Sequence, residues 1–193
     1  FYNDEIDVLK DQTSLINKFE HNKIFFTNGV ISKIDIKHED DAKVLITNDL
    51  NLNKNTNETN PLVSLNYALA SAHTSIVVKE NYSLNKPLIL YNITTKELNS
   101  TALNLRINIK LEKNSTLKLV TIFDDQSQNN FINITQNFDI AQDAILKSYK
   151  IDHKPNSNIK YFYNNINLEK NSISENFIFS TGSKFIKNEV NCN

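Results

Sequence analysis

Asp124 and Asp125 are the residues whose type and spacing come closest to a catalytic or metal-binding motif. They end an apolar segment and begin a polar loop. Paired carboxylates in a β-rich protein are typical of calcium sites and of the acid–base pairs of carbohydrate-active enzymes. The loop holds no third acid, so a turn is the favoured interpretation. A catalytic site would have to recruit Asp143 and a lysine from elsewhere.

The histidines and the single cysteine lack the neighbours that metal ligands and nucleophiles need. The four histidines are isolated, with no pair at metal-ligand spacing: His21, His38, His73 and His153. Cys192 has no basic residue closer than Lys187, and reactive thiols depend on cationic neighbours, so a passive thiol is expected. The sequence therefore predicts no catalytic, cofactor-binding or metal-binding residue, and we expect a protein that is not an enzyme.

The composition argues against several classes of partner. With 193 residues, 39% of them hydrophobic, the chain can bury a core. Its 21 basic and 22 acidic residues give a formal net charge of −1, which provides no field for nucleic acid or an anionic membrane. No apolar run approaches the ~20 residues of a membrane span. One cysteine and no secretory leader predict a cytoplasmic location.

Compositional bias weakens the short motifs. Lysine, asparagine and isoleucine are frequent, and Arg106 is the only arginine among the 21 basic residues. In such a sequence Asn-x-Ser/Thr triplets arise by chance, so glycosylation is not predicted at any of these positions: Asn57, Asn81, Asn92, Asn99, Asn114 and Asn133.

The first 60 residues predict a small region of helix and hairpin. Apolar residues within 1–20 have weakly helical spacing, with acids early and a lysine late. Asn28-Gly29 lies between two apolar runs and predicts a type I′ hairpin. Residues 48–60 are almost entirely polar, which indicates a linker.

A capping helix is predicted within residues 61–73. Asn60 can cap it, and Pro61 suits the first helical position. Leu62, Leu65 and Leu69 have the spacing of a buried helical face.

Residues 74–193 alternate with a period of two and repeat. Residues 103–111 alternate without interruption, which predicts a half-buried strand. Similar turn-like segments lie around four residues separated by 33, 29 and 28 positions: Asn81, Asn114, Asp143 and Asn171. This spacing is typical of a β-solenoid with Leu, Ile or Phe pointing inward, and a β-sandwich is the alternative. Since Gly182 is the only glycine here, turns must use Asn and Asp in left-handed conformations.

Six segments, in this order, carry a resemblance to a known family: 23–30 (KIFFTNGV), 60–70 (NPLVSLNYALA), 74–81 (TSIVVKEN), 84–90 (LNKPLIL), 111–119 and 140–151. The order resembles SufD, the β-helical subunit of the SufBCD iron–sulfur cluster assembly complex. SufB shares the β-helix, but the upstream hairpin and helix are more similar to SufD.

The resemblance implies a right-handed parallel β-helix preceded by a small α/β N-terminal region, and a non-catalytic scaffold role. It implies pairing with a SufB-like β-helix subunit and binding of a SufC-like ATPase through helices beyond Asn193. The iron–sulfur cluster would be assembled at the partner interface, so no cofactor is expected on this chain. The family's interface histidine also lies beyond Asn193, so no site residue can be transferred.

Two alternatives and one expectation remain open. A carbohydrate-active lyase or hydrolase would need two carboxylates and a basic residue on one flank. A structural solenoid such as a surface adhesin would need neither. The sequence has no methionine, and its last strand, 185–193, has no following cap, so we expect an internal fragment of a longer protein.

Overall fold

The computed structural model describes residues 19–49, 59–70 and 73–193, which are mainly β structure. The elements of these residues are β1 (Asn22–Thr27), β2 (Val30–Asp35), β3 (Val44–Asp49), α1 (Pro61–Leu69), β4 (His73–Val78), β5 (Leu88–Thr94), β6 (Ala102–Leu111), β7 (Thr116–Asp125), β8 (Phe131–Ile140), β9 (Ile145–Asp152), β10 (Ile159–Leu168), β11 (Ile173–Ser180) and β12 (Phe185–Cys192).

The strands from β4 onward alternate between two sheets and build a parallel β-helix of about four turns. Sheet A has the order β11-β9-β7-β5-β1-β2, and sheet B has the order β12-β10-β8-β6-β4-β3. Among the strands of the described residues, only β2 and β3, at one end of each sheet, pair antiparallel with their neighbours. The predicted solenoid is confirmed, and the β-sandwich alternative is wrong because strands within each sheet run parallel.

The repeated turns follow the predicted positions. Asn81, Asn114, Asp143 and Asn171 all have positive φ, between 56° and 58°. The side chains also bond from coil to coil, with Asn114 Nδ2 2.9 Å from Asn81 Oδ1 and Asn171 Nδ2 3.1 Å from Asp143 Oδ1. Asparagine and aspartate therefore supply both the left-handed backbone and a polar ladder along this corner of the β-helix.

The N-terminal hairpin is also confirmed, whereas the linker begins later than predicted. Asn28 and Gly29 have φ of 50° and 84°, and they connect β1 to β2. Asn28 binds Thr95 twice, through Nδ2 to Oγ1 and through Oδ1 to the backbone N–H, at 2.9 Å each. Residues 48 and 49 belong to β3, because β3 pairs with β4 along its whole length. The helix predicted within 1–20 and the rest of the linker fall mainly outside the described residues.

Glu39 fastens the turn after β2 to the segment before β5. Its Oε1 accepts hydrogen bonds from Asn22 Nδ2 at 2.6 Å and from the Lys86 backbone N–H at 3.0 Å. Its Oε2 accepts from the Tyr82 hydroxyl at 2.8 Å and from the Asn85 backbone N–H at 3.0 Å. One carboxylate thus joins three segments at the N-terminal end of the β-helix.

Helix α1 forms where predicted but buries a different face. Asn60 caps it by accepting from the backbone N–H groups of residues 62 and 63, and Pro61 begins it. The buried residues are Val63 and Asn66, whereas Leu65 and Leu69 are 37% and 56% exposed. The prediction that the leucines form the buried face is wrong, because the buried side-chain amide of Asn66 orients the helix. Asn66 Nδ2 donates to two backbone carbonyls of sheet B, on β6 and β8, at 3.1 and 2.9 Å.

Because α1 covers the outer face of sheet B, the prediction of a half-buried strand at 103–111 is only partly right. The apolar residues point into the β-helix as expected, but Asn104 and Arg106 on the other face are only 8% and 7% exposed. Asn133 on β8 ties the same face to the helix by donating to the Leu62 carbonyl at 2.8 Å.

Candidate functional site

The interior of the β-helix changes from apolar to polar along its axis. The first coils are filled by buried aliphatic and aromatic side chains, including Ile24, Ile76, Leu88, Leu90, Ile107 and Leu117. From β7 onward, buried polar side chains occupy inward positions: Thr121, Asp125, Gln136, Ser148, Lys150, Asp152, Lys160 and Asn164. The expectation that inward positions carry only Leu, Ile or Phe is therefore wrong for the later coils.

The centre of this polar region is Lys160, at the start of β10. Its side chain is fully buried, and Nζ donates to both carboxylate oxygens of Asp152 at 2.8 Å each. Nζ also forms an ion pair with Asp125. Asp125 Oδ1 accepts a further bond from Thr94 Oγ1 at 3.2 Å. We call Asp125, Lys150, Asp152 and Lys160 the Lys160 cluster.

Topology explains how these residues meet. Asp125 and Asp152 end neighbouring strands of sheet A, whereas Lys160 begins a strand of sheet B on the opposite side of the same corner. Parallel coils place successive strand ends side by side, so residues separated by 35 positions in sequence come into contact. Burial raises the pKa of Asp152 above its ordinary value, although the Lys160 ammonium acts in the opposite direction.

Lys150 differs from Lys160 because no carboxylate of the described residues is in direct contact with it. Its Nζ lies 2.6 Å from Asn188 Oδ1 and 3.9 Å from the ring centroid of Phe162. The side chain is 5% exposed, and burial lowers its pKa to about 7, against the attraction of Asp152. Its amine can therefore accept or release a proton near neutral pH.

Asp124 points to the other side of β7 and has its own partner. It forms an ion pair with Lys154, which is partly exposed, while its Oδ2 is buried without a hydrogen-bond partner. The adjacent carboxylates of the sequence thus serve two separate ion pairs, one inside the β-helix and one at its surface.

Asp143 lies far from these carboxylates. It occupies the left-handed turn before β9, at the opposite corner from Asp152, where Gln142 Nε2 and Asn171 Nδ2 donate to it. Asp152 lies nine positions after Asp143 along nearly extended chain, a distance of about 30 Å. The convergence of Asp124, Asp125, Asp143 and a lysine that an acid–base site would require does not occur.

The histidines and Cys192 do not assemble into a metal-binding group in the described part of the chain. No group of three or more His, Cys, Asp or Glu side chains suited to a metal ion occurs within 19–49, 59–70 and 73–193. His21 is buried and bonds Tyr91 Oη and the Phe19 carbonyl, at 2.9 Å each. Burial lowers the pKa of His21 and raises that of Tyr91 to about 12. Cys192 is an exposed free thiol at the end of β12.

The glycosylation triplets include buried positions. Asn92 and Asn133 are 7% and 0% exposed, so their amides are inaccessible to a transferase. Asn81 and Asn114 form the turn ladder described above. Asn57 lies outside the described residues.

Sequence reasoning missed Lys150, Asp152 and Lys160. In β9, Ser148, Lys150 and Asp152 share a face with buried Leu146, whereas the outward face carries Ile145, Tyr149 and Ile151. A period-two pattern identifies two faces, and the more apolar one is normally assigned to the core. Here that assignment would have been reversed. The polar residues at every second position after Leu146 were the available sign of a polar interior.

The outer face of sheet A carries a continuous apolar stripe. One register row contains Ile89, Val120, Tyr149 and Phe177, and the next contains Phe25, Tyr91, Ile122, Ile151 and Phe179. We call these two rows the sheet A stripe. Ile89 and Tyr91 are buried, whereas Tyr149 and Phe177 are 41% and 56% exposed. Their ring centroids lie 6.4 Å apart. Tyr149 has paired strands on both sides, so its exposure does not arise from a sheet edge.

Comparison with known proteins identifies a family that the chain matches. The model of a family described as "SUF system FeS cluster assembly, SufBD core domain" matches residues 91–193, a little more than half of the chain. No curated protein matches the sequence. In the part of the chain that the structure describes, no helix combines the length and the apolar character that a membrane span needs.

Proposed function

Because the chain belongs to the SufBD core family of the SUF system, which assembles iron–sulfur clusters, we propose that it is a SufD-type scaffold subunit. In this proposal it is not an enzyme. It acts in the cytoplasm by binding a SufB-like β-helix subunit and a SufC-like ATPase. The cluster is the cargo assembled at the partner interface, and this chain holds no resident cofactor. The SufD assignment rests on the hairpin at Asn28-Gly29 and helix α1 preceding the coils, as in the resemblance described above.

The exposed end of the sheet A stripe, at Tyr149, Phe177 and Phe179, is the observation that carries the scaffold role. Soluble proteins seldom expose contiguous apolar patches unless another surface covers them. Tyr149 and Phe177 are exposed on a rigid sheet whose paired strands need no reorganisation on binding, and aromatic side chains dominate the energetics of protein interfaces. A flat, stiff face of this kind suits a second β-sheet protein better than a small substrate.

The charged residues support a scaffold over a hydrolase or lyase. A catalytic acid and base must reach a substrate. Asp125 and Asp152 are buried and neutralised by Lys160, and Asp124 is paired with Lys154. This arrangement stabilises structure and leaves no free acid–base pair among these carboxylates.

Co-purification tests the proposal. The complete protein, tagged, is co-expressed with the SufB-like and SufC-like proteins of the same source, and the complexes are measured by affinity capture and size-exclusion chromatography. We expect both partners to be retained. Failure to retain either partner would contradict the scaffold role.

A pair of matched variants tests the surface. Tyr149→Ser with Phe177→Ser removes the exposed aromatic rings, and we expect at least a tenfold loss of affinity for the SufB-like partner. The control, Lys147→Ser with Glu175→Ser, removes an exposed ion pair from the same two strands and the same face. We expect the control to bind like the wild type. Equal binding by both variants would exclude the stripe as the interface while leaving the SUF role standing.

A further inference from the structure

Arg106 is a buried cation with no counter-ion in the described part of the chain. It lies on the outer face of sheet B beneath α1 and is 7% exposed. Its Cζ is 3.6 Å from the ring centroid of Tyr67. Both Nε and Nη1 are buried without a hydrogen-bond partner. Burial lowers the pKa of Arg106, but a guanidinium stays protonated at physiological pH.

The physical chemistry of this position requires an acceptor. A buried charge is tolerated when it is paired and hydrogen-bonded, as Lys160 is by two carboxylates. Stacking on Tyr67 offsets part of the desolvation of Arg106 but satisfies none of its N–H groups. Thr135, directly opposite Arg106 on β8, is fully buried, and its hydroxyl also lacks a partner. Two neighbouring strands therefore present unused hydrogen-bonding groups at one place.

Space for a ligand lies next to this position. An open cavity of about 460 Å³ lies between α1 and the outer face of β8, β10 and β12. Tyr67, Asn137, Tyr163 and Glu189 line it, whereas Arg106 and Thr135 lie behind Tyr67 and outside its lining. Tyr67 both covers Arg106 and forms a wall of the cavity, so a rotation of its partly buried ring would connect the two. Glu189 is negatively charged and would repel a polyanion, which limits a ligand to low charge.

We propose that Arg106 and Thr135 form a binding site for a small oxyanion of the carboxylate or phosphate class, entered from the cavity past Tyr67. A guanidinium donates two parallel N–H bonds to such a group, whereas a lysine ammonium acts as a point charge. Arg106 is the only arginine in a chain rich in lysine, so the position that needs this geometry has the residue that provides it. The inference does not depend on the assembly role.

The experiment measures the thermal unfolding of the complete protein in sodium acetate or sodium phosphate, with chloride replacing the oxyanion at constant ionic strength. We expect Tm to rise by roughly 4 °C at an oxyanion concentration ten times Kd. A response to acetate alone assigns a carboxylate ligand, and a response to phosphate alone assigns a phosphate ligand. No oxyanion-specific rise in the wild type overturns the proposal.

Variants separate the site from a general salt effect. Arg106→Met is expected to abolish the rise, and Arg106→Lys to weaken the oxyanion affinity at least tenfold. Lys110→Met, on the same strand and face but exposed, should behave like the wild type. Retention of the full rise in Arg106→Met would refute the site.

A second readout covers the simplest alternative, in which ordered water joins Arg106 to the unpartnered Oδ1 atoms of Asn66 and Asn133. In chloride alone, an unpaired guanidinium predicts that Arg106→Met unfolds at the same temperature as the wild type or higher. A lower Tm in chloride would show that Arg106 is already satisfied within the fold, and would overturn the proposal.

Discussion

Replacing Lys160 with methionine tests whether the Lys160 cluster holds the later coils together. The substitution keeps most of the side-chain volume but removes the cation between Asp125 and Asp152. Both carboxylates are then left buried, with side-chain exposures of 1% and 0%, and without their ion-pair partner. Removing one partner of a buried ion pair costs about 3–5 kcal/mol, and here two carboxylates lose the same cation. We therefore expect a loss near 5 kcal/mol, comparable with the whole stability of many domains.

The assay is urea unfolding of the complete protein at pH 7, followed by far-UV circular dichroism and by tyrosine fluorescence, since the chain has 7 tyrosines and no tryptophan. The triple variant Lys160→Met, Asp125→Asn, Asp152→Asn removes all three charges and should recover most of the loss. Lys118→Met, which changes an exposed lysine on β7, should alter the unfolding free energy by less than about 0.5 kcal/mol.

The pH dependence of the stability of Lys160→Met provides a second test. Burial raises the pKa of Asp152, and without the opposing Lys160 ammonium this carboxylate binds a proton in the folded state at a pH where the unfolded chain has lost it. The folded state then holds more protons, so its stability falls as pH rises, and acidification from pH 7 to 5 should restore part of it. The reasoning would be refuted if Lys160→Met stayed within 1 kcal/mol of the wild type at pH 7, or if the triple variant were no more stable than the single one.

Three further predictions concern the stability of variants at Lys150, Asn114 and Glu39. Burial lowers the pKa of Lys150 from 10.5 to about 7, so the folded chain holds fewer protons than the unfolded chain between these values. Its unfolding free energy should therefore rise with pH there, by at most ~1.4 kcal/mol per unit, and Lys150→Met, measured by urea unfolding at pH 7 and 9, should lose this slope. Asn114→Ala should lower the unfolding free energy by about 1–2 kcal/mol, because the φ of residue 114 is 56° and its hydrogen bond to Asn81 in the previous coil is lost. Asn114→Gly should cost less, since glycine adopts this φ without strain. If thermal unfolding showed alanine to be better tolerated than glycine, the argument from left-handed strain would be contradicted. Glu39→Gln should lower the unfolding free energy by about 2 kcal/mol in thermal unfolding, since four hydrogen-bond donors face this carboxylate. Glu175→Gln, at an exposed ion pair, should lower it by less than about 0.5 kcal/mol.

The fold was predictable because local chemistry recurs at each turn. A left-handed residue is needed where the chain turns between coils, and in a chain with two glycines only Asn and Asp provide it cheaply. Asn81, Asn114, Asp143 and Asn171 therefore marked the coils in the sequence and have the expected backbone angles. The hairpin at Asn28-Gly29 was predictable for the same reason.

The interior cluster was not predictable because it depends on contacts between distant strands. Nothing near Lys160 in the sequence indicates that Asp125 approaches it across a corner of the β-helix. The burial of Arg106 depends likewise on α1, which lies almost forty residues earlier and covers its face of sheet B. An isolated strand pattern gives the two faces of a strand but not which face another element covers.

The Lys160 cluster has a consequence for the alignment of the coils. Similar coils can pair in more than one register, and a slip of two residues along a strand keeps every side chain on its original face. Apolar side chains such as Ile107 and Leu117 oppose such a slip only through shape. In the later coils a two-residue slip would move Lys160 by about 6.6 Å relative to the carboxylates and leave buried charges unpaired. The same alignment sets Phe177 beside Tyr149 on the outer face, so the buried charges also fix the geometry of the surface proposed to bind the partner.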